Sequence, residues 1–242
     1  MPQLTEHIRA IAFDVDGTLI DTMGDLAVAV NVTLGSLNAR RLPEESIAAL
    51  VGNGVEALVH GALQESTGQV PAPEQAAAAL ALFRRQYARA LFRHSRVYAG
   101  VREGLCALAE LPLQLCCITN KESQFTTPLL EAAGLSAFFA FALCADRAED
   151  RKPAPSMLLA ACSRLSIAPA ELLYVGDSGV DVVAARAAGS PVIAVTYGYG
   201  KARFGERRPD GVAGKLADLP QMFQRPADVR AGLTWMPMGT TP

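Results

Sequence analysis

The sequence predicts an α/β protein in which a mostly parallel sheet carries helices on both faces and a helical domain is inserted near the start. Two observations carry this prediction. Short apolar runs rich in β-formers each end in a polar cluster and alternate with helical segments, the rhythm of parallel strands joined by crossover helices. Between residues 21 and 96 that rhythm stops and only helical periodicity remains.

The first apolar run, residues 8–13, ends at Asp14. Residues 26–37, 44–51, 55–65 and 74–92 then read as amphipathic helices, and the alanine-rich stretch 76–81 is too short to be a low-complexity segment. No strand is convincing there, so residues 21–96 are expected to form the inserted domain, and residues 1–20 together with 97–242 the α/β core. Residues 113–118 return to β character before Thr119. Helices follow at 128–133, closed by Gly134, and at 156–165. The run 172–175 precedes Asp177, the helix 180–188 is closed by Gly189, and the run 192–195 precedes Thr196. The tail, residues 225–242, holds Pro226, Pro237, Pro242 and the lone Trp235 and shows no period.

A chain of 242 residues that is 50% hydrophobic and 19% charged can bury a large core, unlike a disordered or fibrous sequence. Its formal net charge of -2 gives no electrostatic reason to expect nucleic acid or an anionic membrane as partner, so a small molecule is the expected ligand and a monomer or homodimer the expected state. Residues 1–10 include Glu6, His7 and Arg9 and lack the apolar core of a signal peptide, and no run approaches a membrane span, which points to the cytoplasm. The five cysteines, Cys106, Cys116, Cys117, Cys144 and Cys162, form no CxxC pair and read as buried free thiols.

In an open parallel sheet, ligands bind beyond the carboxyl ends of the strands, and the polar clusters lie at such ends. They should therefore meet in one crevice. The first is Asp14-Val15-Asp16-Gly17-Thr18, where carboxylates two apart on extended chain share a side and Gly17 permits the turn that follows. The others are Thr119-Asn120-Lys121, Lys152-Pro153, and Gly176-Asp177-Ser178 with Asp181 one helical turn on. Asp14, Asp16 and Asp177 gathered together would repel, so they require a cation or a shared proton. An all-oxygen ligand set without matching His or Cys favours a hard ion, magnesium before calcium or zinc. Thr119, Asn120 and Lys152 suit the oxygens of a phosphate, and a carboxylate can attack dianionic phosphorus once metal and lysine offset the repulsion.

These four clusters, in this order and at these strand ends, resemble the haloacid dehalogenase superfamily of hydrolases. The resemblance implies a Rossmann-like parallel core with an inserted helical cap. Within the superfamily the sequence is most similar to phosphoglycolate phosphatases, through residues 13–19, Val51-Gly52-Asn53-Gly54, Thr119-Asn120-Lys121, and Thr196-Tyr197-Gly198-Tyr199-Gly200. It departs from them at Ala99, at Ser156 and at Gly179-Val180, none of which removes a catalytic group. The resemblance implies a magnesium-dependent phosphate-monoester hydrolase. In it Asp14 is the nucleophile and forms an aspartyl-phosphate, Asp16 is the general acid and base, and Thr18, Thr119, Asn120 and Lys152 hold the phosphoryl group. Asp14, the Asp16 carbonyl and Asp177 would hold the metal, with Asp181 a direct ligand, a support behind them, or an ordinary first-turn acid of its helix.

A sugar-phosphate phosphatase or a phosphomutase of the same superfamily is the alternative enzyme, and a magnesium-dependent phospho-accepting module the alternative outside catalysis. Asp16 argues against the module, and against a dehalogenase, because only an alkoxide leaving group needs a proton from a second acid. Links near residues 20–22 and 97–100 should hinge the cap, whose turn 52–54 would close over the crevice. Asn53 there reads either as part of a helix-helix turn or as a substrate contact. Lys121 and the pairs Arg40-Arg41, Arg84-Arg85 and Arg207-Arg208 read as solvated charges, His7, His60 and His94 as surface or packing residues, and Gly198-Tyr199-Gly200 is no dinucleotide fingerprint.

Overall fold

The computed structural model describes residues 7–200 and 208–223. The reading of the amino-terminal leader in its first six positions, that of Arg207, and that of the tail 225–242 lie outside the described residues. Strand β1 (Ala10–Phe13) is buried at every position, and it pairs in parallel with both β4 (Gln114–Thr119) and β6 (Leu172–Gly176). With β5 (Ala142–Cys144), β7 (Val192–Val195) and β8 (Gly211–Ala213) they form a six-stranded parallel sheet in the order β5-β4-β1-β6-β7-β8. From β1 the chain crosses first to one side, at β4, and later to the other, at β6, so the reversal of strand order falls at β1.

The two-residue period of β1 divides the core. Ile11 and Phe13 face the cluster built with α5 (Val101–Ala109), α6 (Ser123–Ala132) and the short helix Leu216–Phe223, while Ala10 and Ala12 face the cluster of α7 (Ser156–Leu165) and α8 (Gly179–Ala188). Helices thus cover both faces, which is why the strands read as continuous apolar runs. The expected stops hold: Gly134 and Gly189 adopt φ of 63° and 81°, left-handed values that close α6 and α8.

Residues between β1 and β4 build a third cluster from α1 (Met23–Ser36), α2 (Glu44–Leu50), α3 (Val55–Thr67) and α4 (Pro73–Ala90), centred on Leu34, Ile47, Phe83 and Tyr87. One expectation is corrected here. The stretch is not free of strand at its edges, because β2 (Ile20–Asp21) and β3 (Arg96–Val97) pair antiparallel, with Ile20 opposite Val97 and Asp21 opposite Arg96. Two-residue strands are too short to show a period, and only the pairing of residues some 75 apart reveals them. The fully buried Asp25 ties the same connections together, accepting from the backbone N–H groups of His94 and Ser95 and from the Ser95 hydroxyl.

Three further elements, α5, β5 and β8, were not legible from pattern, the two strands being three residues each. Helix α6 begins at Ser123, before Pro128, and buries Phe125 and Leu129 one turn apart. Cys116, Cys117 and Cys162 are buried and all five thiols are free, but Cys106 is exposed on α5. Among the described residues no helix is long and apolar enough to cross a membrane.

Candidate active site

The parallel register delivers the predicted clusters to one place. Phe13 lies opposite Cys117 on one side and Val175 on the other, so Asp14 leaves the sheet between the ends of β4 and β6, beside Thr119 and Asp177. The Asp14 N–H donates to the Val175 carbonyl at 2.9 Å, which holds the chain in line one residue past the strand. The loop then folds back on itself, with the N–H groups of Thr18, Leu19 and Ile20 all donating to the Val15 carbonyl.

Asp14, Asp177 and Asp181 are all buried, and a carboxylate oxygen from each lies within 4.8 Å of the others. Lys152 Nζ stands 3.0 Å from Asp14 Oδ1 and 2.6 Å from Asp181 Oδ1, and it donates to the Tyr174 hydroxyl at 2.8 Å. That ion pair lies outside hydrogen-bond geometry, so Asp14 Oδ1 is left buried without a hydrogen bond. Asp181 spends its second oxygen on the Ser178 N–H and hydroxyl, a capping box at the start of α8, so that it caps its helix and also pairs with Lys152. Glycines make room for these acids. A Cβ on Gly17, whose φ is 82°, would fall 2.5 Å from Asp177 Oδ2, and Gly200 donates its N–H to the same oxygen at 3.0 Å. The orphaned Asp14 oxygen, the close acids and the glycine cradle fit a small hard cation.

Asp16 faces the other way and reveals what the sequence reading missed. Lys121, expected on the surface, is buried, and its Nζ lies 3.0 Å from both Asp16 oxygens and 4.5 Å from the centre of the Tyr87 ring. The Lys121 N–H donates to Thr119 Oγ1, which bends the chain off β4 into the crevice, where the distant Asp16 and Tyr87 meet the ammonium. Burial works against this ammonium, but Asp16 and Tyr87 together outweigh it and the pKa rises. Thr22 Oγ1 donates to Asp16 Oδ1 at 2.6 Å, and Tyr199 OH accepts from the Thr22 N–H and lies 3.1 Å from Asp21. The family-like 196–200 segment therefore acts on the connection at β2, a role no local pattern in either segment could show.

Asp14, Asp16, Thr119, Asn120 and Asp177 line a cavity of about 240 Å³ whose far wall is formed by the helical insert. Asn120 lines it too, but its amide is committed, donating to the carbonyls of Gly52 and Lys152 and accepting from the Lys152 N–H. Its side chain thereby ties insert to core. Three predicted contacts do not line the cavity. Lys152 is buried between Asp14 and Asp181 and reaches it only beside the nucleophile. Thr18 is fully buried beneath the loop with its hydroxyl unpartnered, and Asn53 is exposed, so that the 52–54 turn reaches the cavity through Gly52 and Gly54 instead. Arg84 is corrected as well: it forms a forked pair with the buried Glu122, at 2.6 and 3.1 Å, across the same junction, and Arg151 pairs with Glu56 at 2.8 Å.

Burial pushes the Asp14 carboxyl up to about 6, with Lys152 opposing and Asp181 and Asp16 adding, and burial with Asp181 and Asp14 pushes Asp177 up to about 7. Both acids bind protons more tightly folded than unfolded, so their contribution to stability is present below the unfolded value near 3.8 and is lost as pH rises through about 6 and 7. The metal-free protein is accordingly expected to lose melting temperature between pH 5 and 8, by thermal melts in chelator at about pH 5 and 8. Magnesium should restore it at the upper end, and a flat profile in chelator would mean that the acids ionise without penalty.

Comparison with known proteins agrees with this geometry. The family model described as haloacid dehalogenase-like hydrolase matches residues 11–195. The phosphoglycolate phosphatase of Nitrosospira multiformis is 41% identical over 219 residues, spanning 90% of this chain and 96% of that one. That of Thiobacillus denitrificans is 42% identical over the same length and shares. The crystal structure of a predicted phosphoglycolate phosphatase from Haemophilus somnus superposes with a TM-score of 0.84 at 29% identity, covering 90% of this chain and 99% of the other.

Proposed function

Because the chain belongs to the haloacid dehalogenase-like hydrolases and is a phosphatase, we propose that it hydrolyses phosphoglycolate to glycolate and phosphate through an aspartyl-phosphate on Asp14. The observation that carries this reading is the placement of Asp14 at the end of the central strand, with carboxylate oxygens of two further acids within 4.8 Å and Lys152 at 3.0 Å, on the wall of a cavity between core and insert. The phosphoglycolate phosphatases it resembles supply the substrate.

Asp14, Asp177 and the Asp16 carbonyl would hold magnesium, with Asp181 behind them, and the ion when bound would neutralise charge on the acids and on the phosphoryl oxygens. Asp14 attacks phosphorus in line with the ester oxygen, and Asp16, aimed from the opposite side of the loop, protonates that oxygen as it leaves. Asp16 then takes a proton from the water that opens the aspartyl-phosphate. Lys152 holds the charge of the transferring group, and Thr119, whose oxygen already accepts from Lys121, has its hydroxyl proton free to donate to it. Asn120 sets the position of Lys152 and of the 52–54 turn, and with the Arg84–Glu122 pair it ties the insert over the site. The insert, residues 21–96, acts as the cap, hinged at the β2–β3 ribbon.

Phosphate release should be measured on phosphoglycolate, phosphoglycerate, hexose phosphates and p-nitrophenyl phosphate, with and without magnesium. The expected result is strict magnesium dependence and a kcat/KM for phosphoglycolate at least about tenfold above any sugar phosphate. A sugar phosphate turned over best would replace this substrate assignment with the related sugar-phosphatase activity.

A further inference from the structure

We propose that Lys121 is the specificity-determining residue that receives the substrate's carboxylate, which would restrict efficient substrates to phosphate esters of short α-hydroxy acids. This rests on the phosphoglycolate reading above and adds to it the group that recognises the acid.

Among the described residues, Lys121 is the single Lys or Arg side chain that lines the cavity, since Lys152 is buried between Asp14 and Asp181 and meets it only at the nucleophile. The wall facing the nucleophile is apolar, formed by Leu26, Val51, Val55, Leu58 and Phe83, and a carboxylate placed against it would lose its hydration with nothing in return. Glu122, the other charged side chain at that end, is already neutralised by Arg84. One position therefore suits an anion other than phosphate. Lys121 Nζ holds it, 3.0 Å from each Asp16 oxygen and poised over the face of Tyr87.

Distance then sets the class of acid. The ester oxygen must come within about 2.6–3.2 Å of Asp16 to receive its proton. A carboxylate a single methylene beyond that oxygen lands beside the groups Asp16 itself touches, the Thr22 hydroxyl and the Lys121 ammonium, of which only Lys121 carries a charge and lines the cavity. An acid on a longer alcohol would overshoot into the apolar wall. An ammonium has three donors, of which Asp16 engages two, and the Lys121 side chain is held in place by burial, so little ordering is required when the substrate arrives.

The test compares phosphoglycolate with ethylene glycol monophosphate, which has the same skeleton with a hydroxymethyl group in place of the carboxylate. Because Lys121 also touches Asp16, Lys121→Met will slow both esters, and the quantity that reads the proposal is the ratio of their kcat/KM values. In wild type that ratio favours the acid ester. In Lys121→Met it is expected to fall at least about tenfold, mainly through KM for phosphoglycolate. Lys121→Arg, which keeps the charge and guards against a variant that folds poorly, should retain part of the preference. A wild type that prefers the acid ester, with the preference intact in Lys121→Met, overturns this inference alone. A wild type indifferent to the two esters overturns the phosphoglycolate reading and the role of Lys121 with it.

Discussion

Replacing Asp14 by Asn is expected to lower kcat at least about a thousandfold while leaving the fold intact, because the amide keeps the shape of the side chain and removes the nucleophile. A second readout separates this role from a structural one. Asp14 is a buried acid pushed up to about 6, so near neutral pH the metal-free wild type holds an unfavourable buried charge that the Asn variant lacks. D14N should therefore melt at a higher temperature than wild type in chelator at pH 8, and should show no covalent phosphate label after a single turnover. Activity above about a hundredth of wild type would contradict covalent catalysis at this position.

The second large effect is expected at Lys152. Its ammonium is buried between Asp14 and Asp181, both themselves buried, so Lys152→Met leaves carboxylates without a counter-charge and should cost about 3–5 kcal/mol of stability. Turnover should fall by about a hundredfold or more, since the charge that meets the transferring phosphoryl group is gone. The two losses can be separated. In K152M/D181N the uncompensated partner of Lys152 is neutral, so stability should recover in part while turnover stays low. If the double variant recovered activity along with stability, Lys152 would be a structural counter-ion and not part of the catalytic machinery.

Lys121 and Lys152 show where reading a sequence stops being sufficient. Lys152 was legible because Pro153 and Pro155 mark a loop before a helix, and because a lone lysine at a strand-end crevice of acids has an evident electrostatic purpose. Lys121 stood next to Asn120 with no such marker, and its burial depends on Asp16 and Tyr87, which come from 105 and 34 positions away in the chain. Arg84 was misread for the same reason, its partner Glu122 being 38 residues distant. Thr18 and Asn53 differ in the opposite direction: membership of a motif suggested contact with ligand for Thr18 and left Asn53 between a turn and a contact, and the loop turns the first beneath itself while the second is exposed.

What this sequence determined by itself is therefore the α/β core, the helical insert, and the acids at strand ends. These follow from short-range physics: apolar period sets strand and helix, glycine sets their stops, and a parallel sheet carries every strand's carboxyl end to one edge. Only the tertiary structure decided which side chains face the cavity, that Asn120 and Arg84 tie the insert to the core, and that a second buried lysine accompanies Asp16. Those outcomes turn on pairs of charges and donors far apart in the chain, and each member of such a pair is, read alone, an ordinary surface residue.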